Sequence, residues 1–348
     1  MFKIIFILRD KFSKIAKYKE SSYFICLLFL VIVVLLLDVV IYIFEVPVDN
    51  TINSFSDIIW WNVVTLTTVG YGDMYPTTLA GKLATILIML SGIATLAYLL
   101  SGLVEYVVDV NQKKELGLLR VKMDNHIVIC NWNERAEDLI NQLKVYEGDY
   151  ENIVIIDNQL EQRPLKDIEF VKGSPSDVQT LKKAGITKAK KAVILARGQD
   201  KSSADASTVL TSLAIRSLNQ KIFICAEILD TNNVVFLKNA QVDEIIDINT
   251  IISRFIAQTA YDHKLLRVLN ELVSNDKKSC EIYRVKLPRE LKEKLYSDIV
   301  KNLKENYDCL PIALENSEKD YLIMNPEYNK SYDADYCFVI SEDKPEFA

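Results

Sequence analysis

Two stretches near the N-terminus are almost unbroken apolar runs. Residues 23–44 carry a single charge, Asp38, and residues 83–100 carry none. A helix needs about 20 apolar residues to cross a ~30 Å hydrocarbon core. With their flanks, the two runs therefore predict transmembrane helices at about 22–44 and about 81–110. Beyond Asn125 the pattern changes. Short apolar runs (HIVIC at 126–130, NIVIID at 152–157, then 169–172, KAVILA at 191–196, IFICA at 222–226 and 244–246) alternate with amphipathic stretches at 135–145, 176–184, 203–218 and 234–240. Buried strands of this length, separated by helices, predict a parallel, doubly wound α/β sheet. Residues 251–274 predict a helix pair leaving that sheet. Residues 280–346 predict a small α+β unit with a short strand at 336–340.

The chain is thus expected to divide into a short segment at 1–20, a membrane domain at 21–110, a linker at 111–122, a Rossmann-like domain at 123–250, a helical crossover at 251–275 and a C-terminal subdomain at 276–348. Basic residues set its orientation. Lys3, Arg9, Lys11, Lys14, Lys17 and Lys19 lie in the first 20 residues, none occurs from Ser21 to Gly81, and Lys82 stands alone before Lys113. This places both termini in the cytoplasm and the connecting loop outside. The basic start has no cleavage site for a signal peptide. It predicts a helix lying at the inner membrane surface, with a solvated tail as the alternative.

Charge and cysteine usage narrow the function classes. Asp38, Glu45, Asp49, Asp57 and Asp73 face no base between Ser21 and Gly81. They either form an acidic outer mouth that concentrates cations or simply solvate a loop. Asp38, within the first apolar run, is expected to reach interfacial water. No helix carries an arginine at every third position, so no voltage sensor of the usual sort is predicted. Six scattered cysteines without a CxxC pair, and two histidines, support neither a zinc site nor a disulfide framework. A net charge of −6 argues against nucleic-acid binding.

Between the apolar runs lies Thr67-Thr68-Val69-Gly70-Tyr71-Gly72-Asp73. Such a loop, repeated around an axis, can line a short pore with backbone carbonyls that replace the water of a dehydrated cation. Gly70 and Gly72 can take the left-handed backbone angles that turn consecutive carbonyls to one side. Val69 and Tyr71 would brace the loop from outside, and Thr68 adds a hydroxyl at its inner end. A short helix at 57–67 would aim its negative C-terminal end at the cation, with Trp60 and Trp61 as an aromatic cuff. In the second run, Gly92 is either a bend point or a small residue for close helix packing. Ala97, Ser101, Glu105 and Asp109 recur every fourth residue and share one helix face. That face either lines an acidic inner mouth or is a solvated helix end.

The segment WWNVVTLTTVGYGD closely resembles the pore of prokaryotic two-transmembrane potassium channels. The resemblance implies a homotetramer in the lipid bilayer with K+ as permeant ion. It implies a filter of Thr68, Val69, Gly70, Tyr71 and Gly72, supported by Trp60, Trp61, Thr67 and Asp73. It also implies a gating hinge at Gly92. In that family the filter aspartate often bonds a pore-helix carboxylate and a tryptophan. The matching helix position here is Val64, which leaves Asp73 to Trp61. Related non-selective channels carry an acid where Tyr71 stands.

The stretches HIVICNWNERA, KGSPSDVQTLKKAGI, AVILA and ADASTVLTSLAIRSL resemble the RCK domain (regulator of potassium conductance, or TrkA-N) with its C-terminal subdomain, over roughly 120–346. The chain is similar to the calcium-gated RCK channels of prokaryotes. The implied fold is an α-helical pore domain plus a cytoplasmic, doubly wound α/β RCK domain with a small α+β subdomain. The implied partners are further RCK copies completing an octameric ring. A ligand of that ring, a divalent cation or an adenine nucleotide, would bind among Asn131, Asp157, Asp200, Asp205, Glu227 and Asp230. The glycine positions of a dinucleotide fingerprint carry Cys130, Trp132 and Arg135, so only Asp157, at the ribose position, remains of it. Of the calcium-binding positions, which here carry Ala196, Glu227 and Leu229, only Glu227 is acidic. The expected function is a ligand-gated, potassium-selective channel and not an enzyme. The rivals are an RCK-type regulatory subunit of a transport system and a membrane-anchored NAD-dependent oxidoreductase.

Overall fold

A computed structural model describes residues 27–48, 52–146, 152–198, 200–273, 280–319 and 321–347. The expected surface helix at 1–20, the start of the first transmembrane helix and Asp49 lie outside them. The chain separates into two units, Met1–Lys113 and Lys114–Ala348.

In the first unit, helices α1 (Leu27–Val48) and α3 (Leu79–Glu115) are long and apolar enough to cross a membrane. Most of their large apolar side chains, such as Phe29, Leu36, Ile93 and Leu103, stand exposed on the single chain. Helix α2 (Phe55–Leu66) lies between them in sequence. It starts two residues before the expected position because Ser54 and Asp57 form a capping box. Ser54 Oγ accepts from Asp57 N at 3.3 Å, and Asp57 Oδ2 accepts from Ser54 N at 2.9 Å. Ile41, Ile52, Ile58, Trp61, Ala84 and Ile88 pack where α1, α2 and α3 meet.

The second unit is built on a six-stranded parallel sheet of order β3-β2-β1-β4-β5-β6. Its strands are β1 (Ile127–Cys130), β2 (Ile153–Asp157), β3 (Glu169–Lys172), β4 (Lys191–Ile194), β5 (Phe223–Ile228) and β6 (Glu244–Asp247). Helices α4 (Ala136–Tyr146), α5 (Val178–Lys183), α6 (Lys201–Leu218) and α7 (Val234–Asn239) connect them. Alternate strand residues point to opposite faces. Val128, Val154, Ile194 and Ile224 therefore enter one core, while Ile127, Ile129, Ile155 and Phe170 enter the other. Each fully buried isoleucine contributes roughly 1.5–3 kcal/mol.

The end of α3 differs from expectation. α3 remains helical to Glu115, five residues past the predicted end, and Gly117 terminates the turn with φ +64°. Gly117 O accepts from Lys172 N and Lys183 Nζ, both at 3.0 Å, and Arg163 pairs with Glu115 at 2.5 Å. The start of the second unit is therefore tied to the β3 edge of its sheet.

The expected helix pair is present as α8 (Ile248–Tyr261) and α9 (Leu265–Val273). The C-terminal subdomain is richer than the single strand anticipated. It is a four-stranded antiparallel sheet, β7-β10-β8-β9, formed by β7 (Glu281–Lys286), β8 (Leu310–Asn316), β9 (Tyr321–Met324) and β10 (Tyr336–Ser341), with helix α10 (Tyr296–Tyr307). Its core is Val285, Ile299, Leu303, Leu314, Cys337 and Val339.

His126 precedes β1 and is wholly buried. Its Nε2 lies 3.0 Å from Ala184 O, and Nδ1 has no partner. Burial holds its pKa below the ordinary 6.5, against the smaller raising effects of the Ala184 carbonyl and the Asp124 charge. The unfolded chain then takes up a proton that the folded chain refuses. The stability is complete above the unfolded value and falls as the pH drops below it. Thermal unfolding of the second unit is expected at lower temperature at about pH 5.5 than at about pH 7.5. His126→Gln should flatten that dependence, and an identical pH profile in the variant would refute the assignment.

Candidate functional site

The loop after α2 takes its shape from the carbonyls at the end of that helix. Thr67 N donates to Val63 O at 3.0 Å, and Val69 N and Gly70 N both donate to Val64 O, at 3.0 and 3.2 Å. Thr68, Gly70 and Gly72 have φ of +62°, +58° and +74°, whereas Val69 and Tyr71 keep negative values. Positive and negative φ thus alternate, the pattern by which a loop can turn successive carbonyls toward one side instead of the two sides of a strand. Thr68 carries a side chain in the left-handed region at a cost of ~1–2 kcal/mol. A Cβ on Gly70 or Gly72 would meet nothing within 4 Å in the chain. These two glycines answer to backbone angle and not to crowding.

The tryptophans divide their work differently from expectation. Trp60 Nε1 donates to Asp73 Oδ2 at 3.3 Å, and the Trp60 ring stacks on Tyr71 with centroids 6.2 Å apart and planes at 11°. Trp61, assigned to Asp73 from the sequence, instead points into the core with Ile58 and Val64, its neighbours three residues either side on the helix face. Val64 leaves the loop no pore-helix carboxylate and serves it through its backbone oxygen alone.

Of the acids that could form an outer mouth or solvate a loop, Glu45, Asp57 and Asp38 are held by protein donors. Glu45 is fully buried and accepts four bonds: from Thr77 N (3.0 Å), Thr77 Oγ1 (3.1 Å), Thr78 N (2.8 Å) and Thr78 Oγ1 (2.6 Å). It ties the end of α1 to the residues that open α3. Asp57 is occupied in the capping box. Asp38 does not reach interfacial water. It is 2 % exposed and accepts a hydrogen bond from Asn62 Nδ2 of α2.

On α3, Gly92 is buried, and a Cβ there would collide with the Leu66 side chain at the end of α2. The helix is continuous through this point. The geometry at Gly92 is that of close packing, the alternative to a bend. Ala97, Ser101, Glu105 and Asp109 form an exposed stripe, with Asp109 paired to Lys113 at 2.7 Å.

In the second unit the strand order reverses between β1 and β4, where α/β sheets bind ligands beyond the strand ends. Asn131, Asp157 and Glu227 gather there. Asn131 Nδ2 donates to Leu195 O at 2.9 Å. Asp157 is fully buried. Its Oδ1 accepts from Gln159 N (2.6 Å) and Leu160 N (2.9 Å), and its Oδ2 accepts from Trp132 N (2.8 Å) and the Arg197 guanidinium. Glu227 Oε2 accepts from Ala196 N and Arg135 Nη2, both at 2.8 Å. The other candidates lie elsewhere. Asp200 caps α6 through Ser203 N. Asp205 accepts from Leu229 N, Asp230 N and Asn233 Nδ2, and Asp230 accepts from Asn232 N.

Neither implied ligand class fits these side chains as they stand. A carboxylate offers about four acceptor positions, and four protein donors fill those of Asp157, leaving none for a ribose hydroxyl. Calcium needs several converging oxygens. Among the described residues, no three His, Cys, Asp or Glu side chains form a metal-holding group. Arg197 and Arg135 are the site residues that sequence reasoning missed. Their signal was a base directly after the apolar run KAVILA and another at the third fingerprint position.

Two family descriptions match the sequence: an ion channel over residues 12–109, and a calcium-activated potassium channel slowpoke-like RCK domain over residues 122–226. YugO of Bacillus subtilis (strain 168), named as a potassium channel protein, is 33 % identical over 227 residues, covering 65 % of this chain and 68 % of that one. The calcium-gated potassium channel TvoK of Thermoplasma volcanium is 29 % identical over 214 residues, covering 60 % of this chain and 61 % of that one. The gating ring of human SLO3 superposes with a TM-score of 0.50 at 19 % identity, over 63 % of this chain and 44 % of that one. That likeness concerns the fold alone.

Proposed function

Since the chain belongs to the potassium channels that carry an RCK domain, we propose that four copies assemble around one axis and pass K+ through a filter of Thr68–Gly72. The observation that carries this reading is the alternation of left-handed Thr68, Gly70 and Gly72 at the C-terminal end of α2. It aims a row of carbonyls from each chain at one line, where they replace the hydration shell of the ion. Trp60 supports the row through Asp73 and Tyr71. The inner helix, close-packed against Leu66 at Gly92 in this continuous form, presents Ala97, Ser101, Glu105 and Asp109 to the inner mouth.

Both termini lie in the cytoplasm, where the second units join an octameric ring completed by further RCK copies. A ligand that binds two states of the ring unequally shifts the pore between closed and open. Its place is the crevice at the ends of β1, β4 and β5. Calcium, which names the gating of TvoK, is not assigned to this chain. No catalytic role is proposed.

The test is potassium flux in proteoliposomes of the full chain, with sodium as control and with calcium, magnesium, ATP and NAD added in turn. Potassium flux without matching sodium flux is expected, and an addition that changes its rate identifies the ligand class. Absence of potassium flux under every condition would favour a regulatory RCK subunit instead.

A further inference from the structure

Asp38 on α1 and Asn62 on α2 are 2 % and 5 % exposed, and their side chains meet inside the membrane-spanning unit. Asn62 Nδ2 donates to Asp38 Oδ1, yet Asn62 Oδ1 is buried without a partner. A buried charge next to an orphan amide oxygen is costly on both counts. One hydrogen on Asp38 Oδ2 removes both costs. The hydroxyl would donate to Asn62 Oδ1 and close a two-bond acid–amide pair with no net charge.

We infer that neutral Asp38 and Asn62 form a positioning pair that holds the pore helix, and through it the filter. This rests on the potassium-channel reading of the filter. Asn62 immediately precedes Val63 and Val64, whose carbonyls accept from Thr67, Val69 and Gly70 N–H. A shift or rotation of α2 at Asn62 moves those acceptors directly. Among the described residues, α1 and α2 otherwise meet through apolar packing in the cluster of Ile41, Ile58 and Trp61, which is not directional, and through the edge-on Tyr42–Phe55 ring pair. With Val64 where an acid would brace Asp73, the polar side-chain ties between the loop and α2 among the described residues are those of Trp60 and Thr67, and neither reaches α1.

The experiment uses the full-length channel in planar bilayers and four proteins: wild type, Asp38→Asn, Asp38→Leu and Asn62→Leu. Asp38→Asn keeps both bonds as an amide–amide pair and should match wild type in potassium-over-sodium permeability and in persistence of current. Each leucine variant should lower the permeability ratio about tenfold, the equivalent of one lost buried bond, or make the current decay during sustained opening. Infrared spectra of wild type should show a protonated-carboxyl band that Asp38→Asn removes.

Leucine variants with wild-type selectivity and persistence would overturn the positioning role. Asp38→Asn as damaged as Asp38→Leu, or a missing band, would overturn the neutral pair. If the leucine variants do not assemble, the band and the Asp38→Asn recordings still decide. A wild type that passes no potassium would defeat the pore reading instead, and the band would report on the pair regardless.

Discussion

A Gly70→Ala channel is expected to carry no measurable potassium current. Gly70 holds φ +58° with open space around its Cα within the chain, so the added methyl acts through backbone angle. An L-residue in that region costs ~1–2 kcal/mol. Four copies in one ring place roughly 4–8 kcal/mol against the conducting arrangement. Each ~1.4 kcal/mol is tenfold, so the conducting population falls by about a thousandfold or more. The channel should still assemble, because the helices and their packing are untouched. Recording current under a potassium gradient, with size-exclusion chromatography as the assembly control, checks this. Undiminished current would remove the reason for glycine at this position.

Asp157→Leu should produce the largest loss of stability, about 3–5 kcal/mol, the range for removing one partner of a buried ion pair. The substitution leaves the Arg197 guanidinium and the N–H groups of Trp132, Gln159 and Leu160 without their acceptor. The loss should appear in the absence of any ligand, in thermal unfolding of the detergent-solubilised full chain. That separates a structural tie from a ribose-binding acid, whose removal would leave the unliganded protein unchanged. Asp157→Asn, which keeps oxygen at one of the two acceptor positions, should fall between the two.

The parts legible in the sequence were those written in local pattern. Membrane-length apolar runs, short buried strands between amphipathic helices, and the glycine spacing of Gly70 and Gly72 each follow from backbone geometry within a few residues. The antiparallel strands β7, β8 and β9 were missed. As half-buried strands they mix charges with apolar residues, as in EIYRVK, and their pairing is decided by distant partners. Side-chain partners were least legible. Trp60 and Trp61 differ only in which way α2 faces. Asp38 read as reaching interfacial water, and Glu45 as part of an outer mouth or a solvated loop, until Asn62, Thr77 and Thr78 were brought against them across 24 to 33 residues of chain. Asp157 sat where a ribose acid belongs, but Arg197, 40 residues on, occupies it.

The filter carries the central claim, and a bi-ionic reversal potential addresses it most directly. With potassium on one side of a bilayer holding the full chain and sodium on the other, carbonyls spaced for potassium require a current reversing far from zero, in the direction of potassium preference. A reversal at zero, with sodium carried as well as potassium, would contradict it.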